Sequence, residues 1–184
     1  MSKKYAIIAL TGIAAVLAAA PSSKAAVTAA SNYKQGKVYK ITPKSKPFKN
    51  KYVKAPTYNK KTRTYFTIRS YMEKFQKAKK GTLVLKKGTY KITNTIQVPS
   101  NVTIILEKGA KIVKSNQTGT KKMKAATTIF QLIKPSNREK SNVYGGHNGE
   151  KNIHFVGKGS NVMDLKYLKA NIAIVMGHNK DITV

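Results

Sequence analysis

Between Gly81 and Val113 the apolar residues fall into short β-branched runs, Leu83-Val84-Leu85, Ile96-Gln97-Val98 and Val102-Thr103-Ile104-Ile105-Leu106, each cut by a turn built on Gly, Pro or Asn. Runs of this length bounded by turn residues read as strands. They are too short for a flat meander, so the chain must keep turning. A unit also recurs. Leu85-Lys86-Lys87-Gly88-Thr89-Tyr90 has the layout of Leu106-Glu107-Lys108-Gly109-Ala110-Lys111, and Val156-Gly157-Lys158-Gly159-Ser160-Asn161 shows it again, an apolar strand end preceding a glycine by three residues each time. A second recurring element is an Asn or Asp at the head of a strand, in Asn101-Val102-Thr103-Ile104, Asn152-Ile153-His154-Phe155 and Asp181-Ile182-Thr183-Val184. With Ile129 taken as a further such position, successive spacings from Val102 are 27, 24 and 29 residues, inside the window of solenoid repeats.

Ahead of these strands, Ile68, Met72, Phe75 and Ala78 follow helical spacing, and Ser70-Tyr71-Met72-Glu73 fits a capping box. The pattern predicts a helix over 68–80 stopped by Gly81, laid across the first coil to cover its apolar interior and unpaired strand edges. Residues 114–127 and 134–152 are polar interruptions, the kind of insertion that gathers on one flank of a solenoid and often carries binding.

The run from Thr67 through Val113 resembles the N-terminal part of the pectin lyase-like (pectate lyase) superfamily of secreted right-handed parallel β-helix proteins, and 150–184 resembles it more loosely. The resemblance implies an all-β fold, a right-handed parallel β-helix with a short N-terminal capping helix over 64–184. It is weak for chemistry, because that superfamily holds lyases, hydrolases, epimerases and non-catalytic binders on one scaffold. The paired aspartates, His-Gly and Arg/Lys elements of its hydrolases, and the aspartate clusters and arginine of its calcium-dependent lyases, are not found in this sequence. These 184 residues are therefore expected to be inactive, with no catalytic residue named, no metal and no cofactor.

Residues 1–25 read as a signal peptide, with Lys3 and Lys4 as the positive start, an apolar run from Tyr5 to Ala20, and Ser23 and Ala25 before a cut. The protein is thus expected to be secreted and associated with the cell wall, without a transmembrane segment once the leader is gone. Because Ile182-Thr183-Val184 would leave bare strand edges, the chain is expected to be the front part of a longer protein, and a monomer if that last edge is covered.

Charge narrows the partners. The sequence holds 36 Lys and Arg against 6 Asp and Glu, a formal +30 that falls only to +27 without Lys3, Lys4 and Lys24. Such a chain condenses on polyanions through salt-sensitive attraction. For an exported protein the partners expected are acidic polysaccharide or teichoic-acid-type wall polymer, with no specific nucleic-acid recognition, since arginine, which reads bases bidentately, occurs only at positions 63, 69 and 138. Residues 26–63 carry eleven of the cations and no acid, with tyrosines at 33, 39, 52 and 58 among prolines. They read as a basic arm or linker, draped over the solenoid or loosely ordered, whose removal should leave the coils folded.

Glycoside hydrolysis needs two facing carboxylates, and no two of Glu107, Glu139, Glu150, Asp164 and Asp181 are close in sequence. One polar pattern recurs, Gly146-His147-Asn148-Gly149-Glu150 and Gly177-His178-Asn179-Lys180-Asp181. If the copies stack one coil apart, His147, Asn148, Glu150, His178, Asn179 and Asp181 could share a ligand about 4.8 Å from rung to rung. Otherwise they are Asn-bearing turns feeding successive strands. His154, inside a strand, reads as a plain coil residue.

Overall fold

The computed structural model describes residues 33–140 and 149–184. The leader and the His147-Asn148 half of the repeated polar pattern lie outside them. Among the described residues the strands are β1 (Val38–Ile41), β2 (Gly81–Leu85), β3 (Gly88–Ile92), β4 (Ile96–Gln97), β5 (Val102–Leu106), β6 (Ala110–Lys114), β7 (Thr128–Gln131), β8 (Lys151–Gly157), β9 (Val162–Asp164), β10 (Ile172–Val175) and β11 (Lys180–Thr183). The helices are α1 (Asn50–Val53) and α2 (Arg63–Ala78), with a 3-10 turn at Pro135–Asn137.

From β2 onward the strands fall in rotation into three sheets, ordered β1-β2-β5-β8-β11, β3-β6-β9 and β10-β7-β4, and every pairing is parallel. In-register neighbours carry like side chains. Leu83, Ile104 and Phe155 form one column, Tyr90, Ile112 and Met163 another, and Ile96, Phe130 and Ile174 a third. All three columns belong to one apolar cluster. β2 and β5 are buried on both faces, which explains their continuous apolar runs, whereas β3 alternates between buried and exposed residues.

The Asn and Asp heads of strands are real and aligned. Val102, Ile153 and Ile182 are register partners, and Asn101, Asn152 and Asp181 just before them all have left-handed backbone, φ 59°, 56° and 56°. Asn and Asp tolerate that conformation better than other side chains; Asn101 stands just before β5, while Asn152 and Asp181 are the second residues of β8 and β11. Ile129 is not the fourth member. It lies in β7, in a different sheet, and the rung from Val102 to Ile153 takes in both polar insertions. The glycine-turn repeat also slips. Gly88 pairs with Ala110 rather than Gly109, and Leu106 with Gly157 rather than Val156.

The helix expected over 68–80 begins at Arg63. Ser70 is therefore inside it and caps nothing: its hydroxyl donates to Thr67 O at 2.7 Å and accepts Phe48 N–H at 2.8 Å. Left-handed Lys79 ends the helix. Gly81 opens β2 instead, and a Cβ there would fall 2.1 Å from the Phe75 ring. That close approach seats α2 against β2, β3 and β4.

The basic segment is built in as well. β1 pairs with β2 in register, and buried Tyr90 places its hydroxyl 2.8 Å from both Ile41 O and Lys86 O. Tyr52 and Tyr58 stack on Phe66, and Tyr39 on Tyr71 and Phe75. These tyrosines meet aromatic rings of the protein rather than standing out to receive sugar. The segment thus supplies a strand and core side chains rather than lying loosely over the coils.

Candidate polyanion-binding groove

Near the start of α2 a groove of about 410 Å³ is lined by Pro43, Lys60, Lys61, Arg63 and Thr64, by Thr89 and Lys91 of β3, and by Ser115 and Gln117. Its parts are held by named bonds. Asn59 Oδ1 accepts Lys61 N–H at 2.8 Å, and Thr62 Oγ1 donates to Thr57 O at 2.8 Å, which folds 57–62 into a turn delivering both lysines to the rim. Period-2 alternation along β3 turns Thr89 and Lys91 outward while Tyr90 and Ile92 are buried.

The far wall is the segment 115–120, pinned from two sides. Asn59 Nδ2 donates to Thr118 O at 2.9 Å, and Lys61 Nζ to Gln117 Oε1 at 3.2 Å. From within, Lys114, fully buried at 1% exposure, donates to Thr93 O at 3.2 Å, Ser115 O at 2.9 Å and Asn116 Oδ1 at 3.2 Å. Burial pushes its ammonium below the usual lysine range. A neutral amine has only two N–H bonds, so three acceptors around one Nζ favour the charged form.

The groove is electrostatically one-sided. Among the described residues, ion pairs go from Glu73 to Lys51, Arg69 and Arg138, from Glu107 to Lys86 and from Asp164 to Lys166. None reaches Lys60, Lys61, Arg63 or Lys91, and no carboxylate lines the groove. Arg63 donates through Nη2 to Pro43 O at 3.2 Å, while its buried Nε has no partner. Four cations around one cavity without a counter-charge suit an anionic ligand, whose arrival relieves their mutual repulsion.

The repeated polar pattern lies away from this groove. Register pairs Lys151 with Lys180, which sets Glu150 beside Asn179 and Asn152 beside Asp181, so the two acids do not meet. Glu150 is buried, and its Oε2 accepts both Ser100 N–H and Ser100 Oγ–H at 2.6 Å. Asn179 spends its Nδ2 on Leu132 O at 3.1 Å and Glu150 O at 2.9 Å, and its Oδ1 on Gly177 N–H at 2.8 Å. Asp181 is the second residue of β11 and has left-handed backbone there. His178 lies over Gly149, where a Cβ would fall 2.1 Å from His178 O. Both line a cavity of about 330 Å³ with Glu150, Lys134, Lys151 and Lys180. These residues, His147 and Asn148 aside, hold turns between rungs. No group of three or more His, Cys, Asp or Glu able to hold a metal occurs among the described residues.

His154 is not a plain coil residue. A polarised chain runs from Asn101 Nδ2 onto Lys79 O, Asn152 Nδ2 onto Asn101 Oδ1, and His154 Nε2 onto Asn152 Oδ1 at 2.7 Å. The backbone carbonyl at its end can only accept. Nε2 therefore carries the proton, and Nδ1 accepts from Thr183 Oγ1 at 3.0 Å. Burial lowers the imidazole pKa against an opposing pull from Asp181.

No helix among the described residues is long and apolar enough to cross a membrane. Comparison with family models, curated protein sequences and solved structures gives no significant match to this chain. Sequence reasoning missed the groove because its residues are scattered over 43–117. Asn59-Lys60-Lys61-Thr62-Arg63, a turn former among cations, is the one local signal.

Proposed function

We propose that this chain is an exported right-handed parallel β-helix protein of pectin lyase-like type that binds linear polyanions of the cell wall, acidic polysaccharide or teichoic-acid-type polymer. The rotation of the chain through three parallel sheets around one shared core supports the β-helix, and parallel crossovers are right-handed in about 98% of cases. The observation that carries the binding reading is the groove of Lys60, Lys61, Arg63 and Lys91 with no carboxylate on its lining. The ligand brings the anions that the protein lacks there.

The test is co-sedimentation with polygalacturonate and with purified wall across a salt series. Affinity should fall steeply with salt, because each neutralised anion releases a counterion. The combined Lys60→Gln, Lys61→Gln and Lys91→Gln variant should bind more weakly and with a shallower salt slope. Binding of that variant equal to the parent at every salt concentration would remove the groove from the argument.

A further inference from the structure

The wall of the groove has a second side. Along 115–118 the side chains alternate, Ser115 and Gln117 lining the groove and Asn116 and Thr118 lining another depression of about 530 Å³ beyond it. Alternation of this kind is what an extended segment imposes. The two cavities are therefore separated by a partition one chain thick. The second also has Lys121, Lys124 and Lys169 on its lining and no carboxylate. None of these three lysines has a salt bridge among the described residues.

Two lining residues each carry a buried polar atom without a partner, and the two atoms are opposite in kind: Arg63 Nε is a donor without an acceptor, and Asn171 Oδ1 an acceptor without a donor. A ligand bearing both anionic oxygens and hydroxyl groups matches both in kind once the side chains turn toward it, whereas a chain of anions alone matches only the first. The hydroxyls of Thr64, Thr89, Thr120 and Thr127 on the same linings suit such a ligand too.

The partition itself is braced. Lys114 holds it from the interior, Asn59 and Lys61 hold it from the first cavity, and Thr118 Oγ1 lies 2.9 Å from Thr120 O and 2.7 Å from Met123 O on the second side. A ridge fixed at this many points keeps the two cavities apart as separate depressions.

We infer that the two cavities are successive subsites for one linear, hydroxyl-bearing polyanion that passes over the 115–120 ridge, so that the protein selects carbohydrate-type polymer over short oligomers. The inference rests on the binding reading above and adds to it a length requirement and a second site. Joining two weak sites on one ligand raises affinity through effective concentration, by about 10²–10⁴ where the geometry allows both to engage.

The experiment compares affinity of the full chain for trigalacturonate and for long polygalacturonate, with a glycerol-phosphate polymer as a second arm to separate carboxylate from phosphodiester sources. Two variants are used, Lys60→Gln/Lys61→Gln/Lys91→Gln in the first cavity and Lys121→Gln/Lys124→Gln/Lys169→Gln in the second, each checked for an unchanged circular dichroism spectrum. The parent should bind the long polymer at least about tenfold more tightly per binding site than the trimer. The second-cavity variant should lose that advantage and keep the trimer affinity, while the first-cavity variant weakens both. A second-cavity variant that retains the length advantage overturns the two-subsite inference and leaves the first groove standing. A first-cavity variant with undiminished binding to either ligand overturns the groove reading as well.

Discussion

Replacing Lys114 by Met tests whether a buried ammonium holds the ridge in place. Methionine has nearly the same length and volume, so the substitution opens no large cavity and isolates the lost N–H donors. Thr93 O keeps a bond from Ala126 N at 3.1 Å. Asn116 is exposed and its Oδ1 can turn to water. Ser115 O lies 2.9 Å from Nζ and is left without that charged donor. One uncompensated carbonyl costs about 1–3 kcal/mol, and the loss of charged hydrogen bonds adds to it, while relief from burying a charge works the other way. The net expected destabilisation is about 2 kcal/mol, or a fall of roughly 1 M in urea midpoint for a slope near 2 kcal/mol per molar. Equilibrium urea unfolding followed by circular dichroism measures it, and the same variant should bind polygalacturonate more weakly because the ridge is loosened. A midpoint equal to or above that of the parent would mean that the charge costs more than its three acceptors return, and the bracing argument would fail.

Gly81→Val should destabilise by more than about 3 kcal/mol, since a side chain there meets the Phe75 ring and must push α2 off β2; thermal unfolding reads the loss. Glu73 accepts the Tyr52 hydroxyl and pairs with Arg69, Lys51 and Arg138. Burial alone would raise its pKa, but the Tyr52 and Arg69 bonds and the neighbouring cations hold it below the usual carboxylate range. Its contribution is therefore complete above the ordinary glutamate pKa and is lost as pH falls through the lower folded value. The stability gap between parent and Glu73→Gln should close only in acid, and a gap unchanged down to the acid transition would contradict the assignment. His154 faces Tyr33, Asn152, Thr183 and Asp181, and its folded pKa is depressed, so stability should hold above about pH 6.5 and decline as pH falls below it. His154→Gln should remove that slope in pH-dependent thermal unfolding.

Much of the strand content was legible because β-branched runs and turn residues act locally. Leu83 to Leu85 and Val102 to Leu106 could hardly be anything else, and Asn101, Asn152 and Asp181 announced left-handed turns that the register later aligned. Which residues share a rung was not local. The span from Val102 to Ile153 is long because two insertions sit inside a single turn of the chain, and only hydrogen-bonded pairing distinguishes that from two short repeats, so Ile129 was misplaced. The basic segment shows the same limit. Its composition has too few apolar residues to form a core alone, but Ile41, Tyr52 and Tyr58 find one on β2 and α2. Net charge was readable from composition, and where that charge stands without a counter-charge was not. Lys60, Lys61 and Lys91 look like any other lysines until β3, the start of α2 and the 115–120 ridge bring them around one cavity, while Glu73, Glu107 and Asp164 are held elsewhere. The sequence determined short strands, turn positions and an excess of cations, each a property of neighbouring residues or of their sum. The tertiary structure decided the rungs, the groove and the buried role of Lys114, because those depend on contacts between residues far apart along the chain.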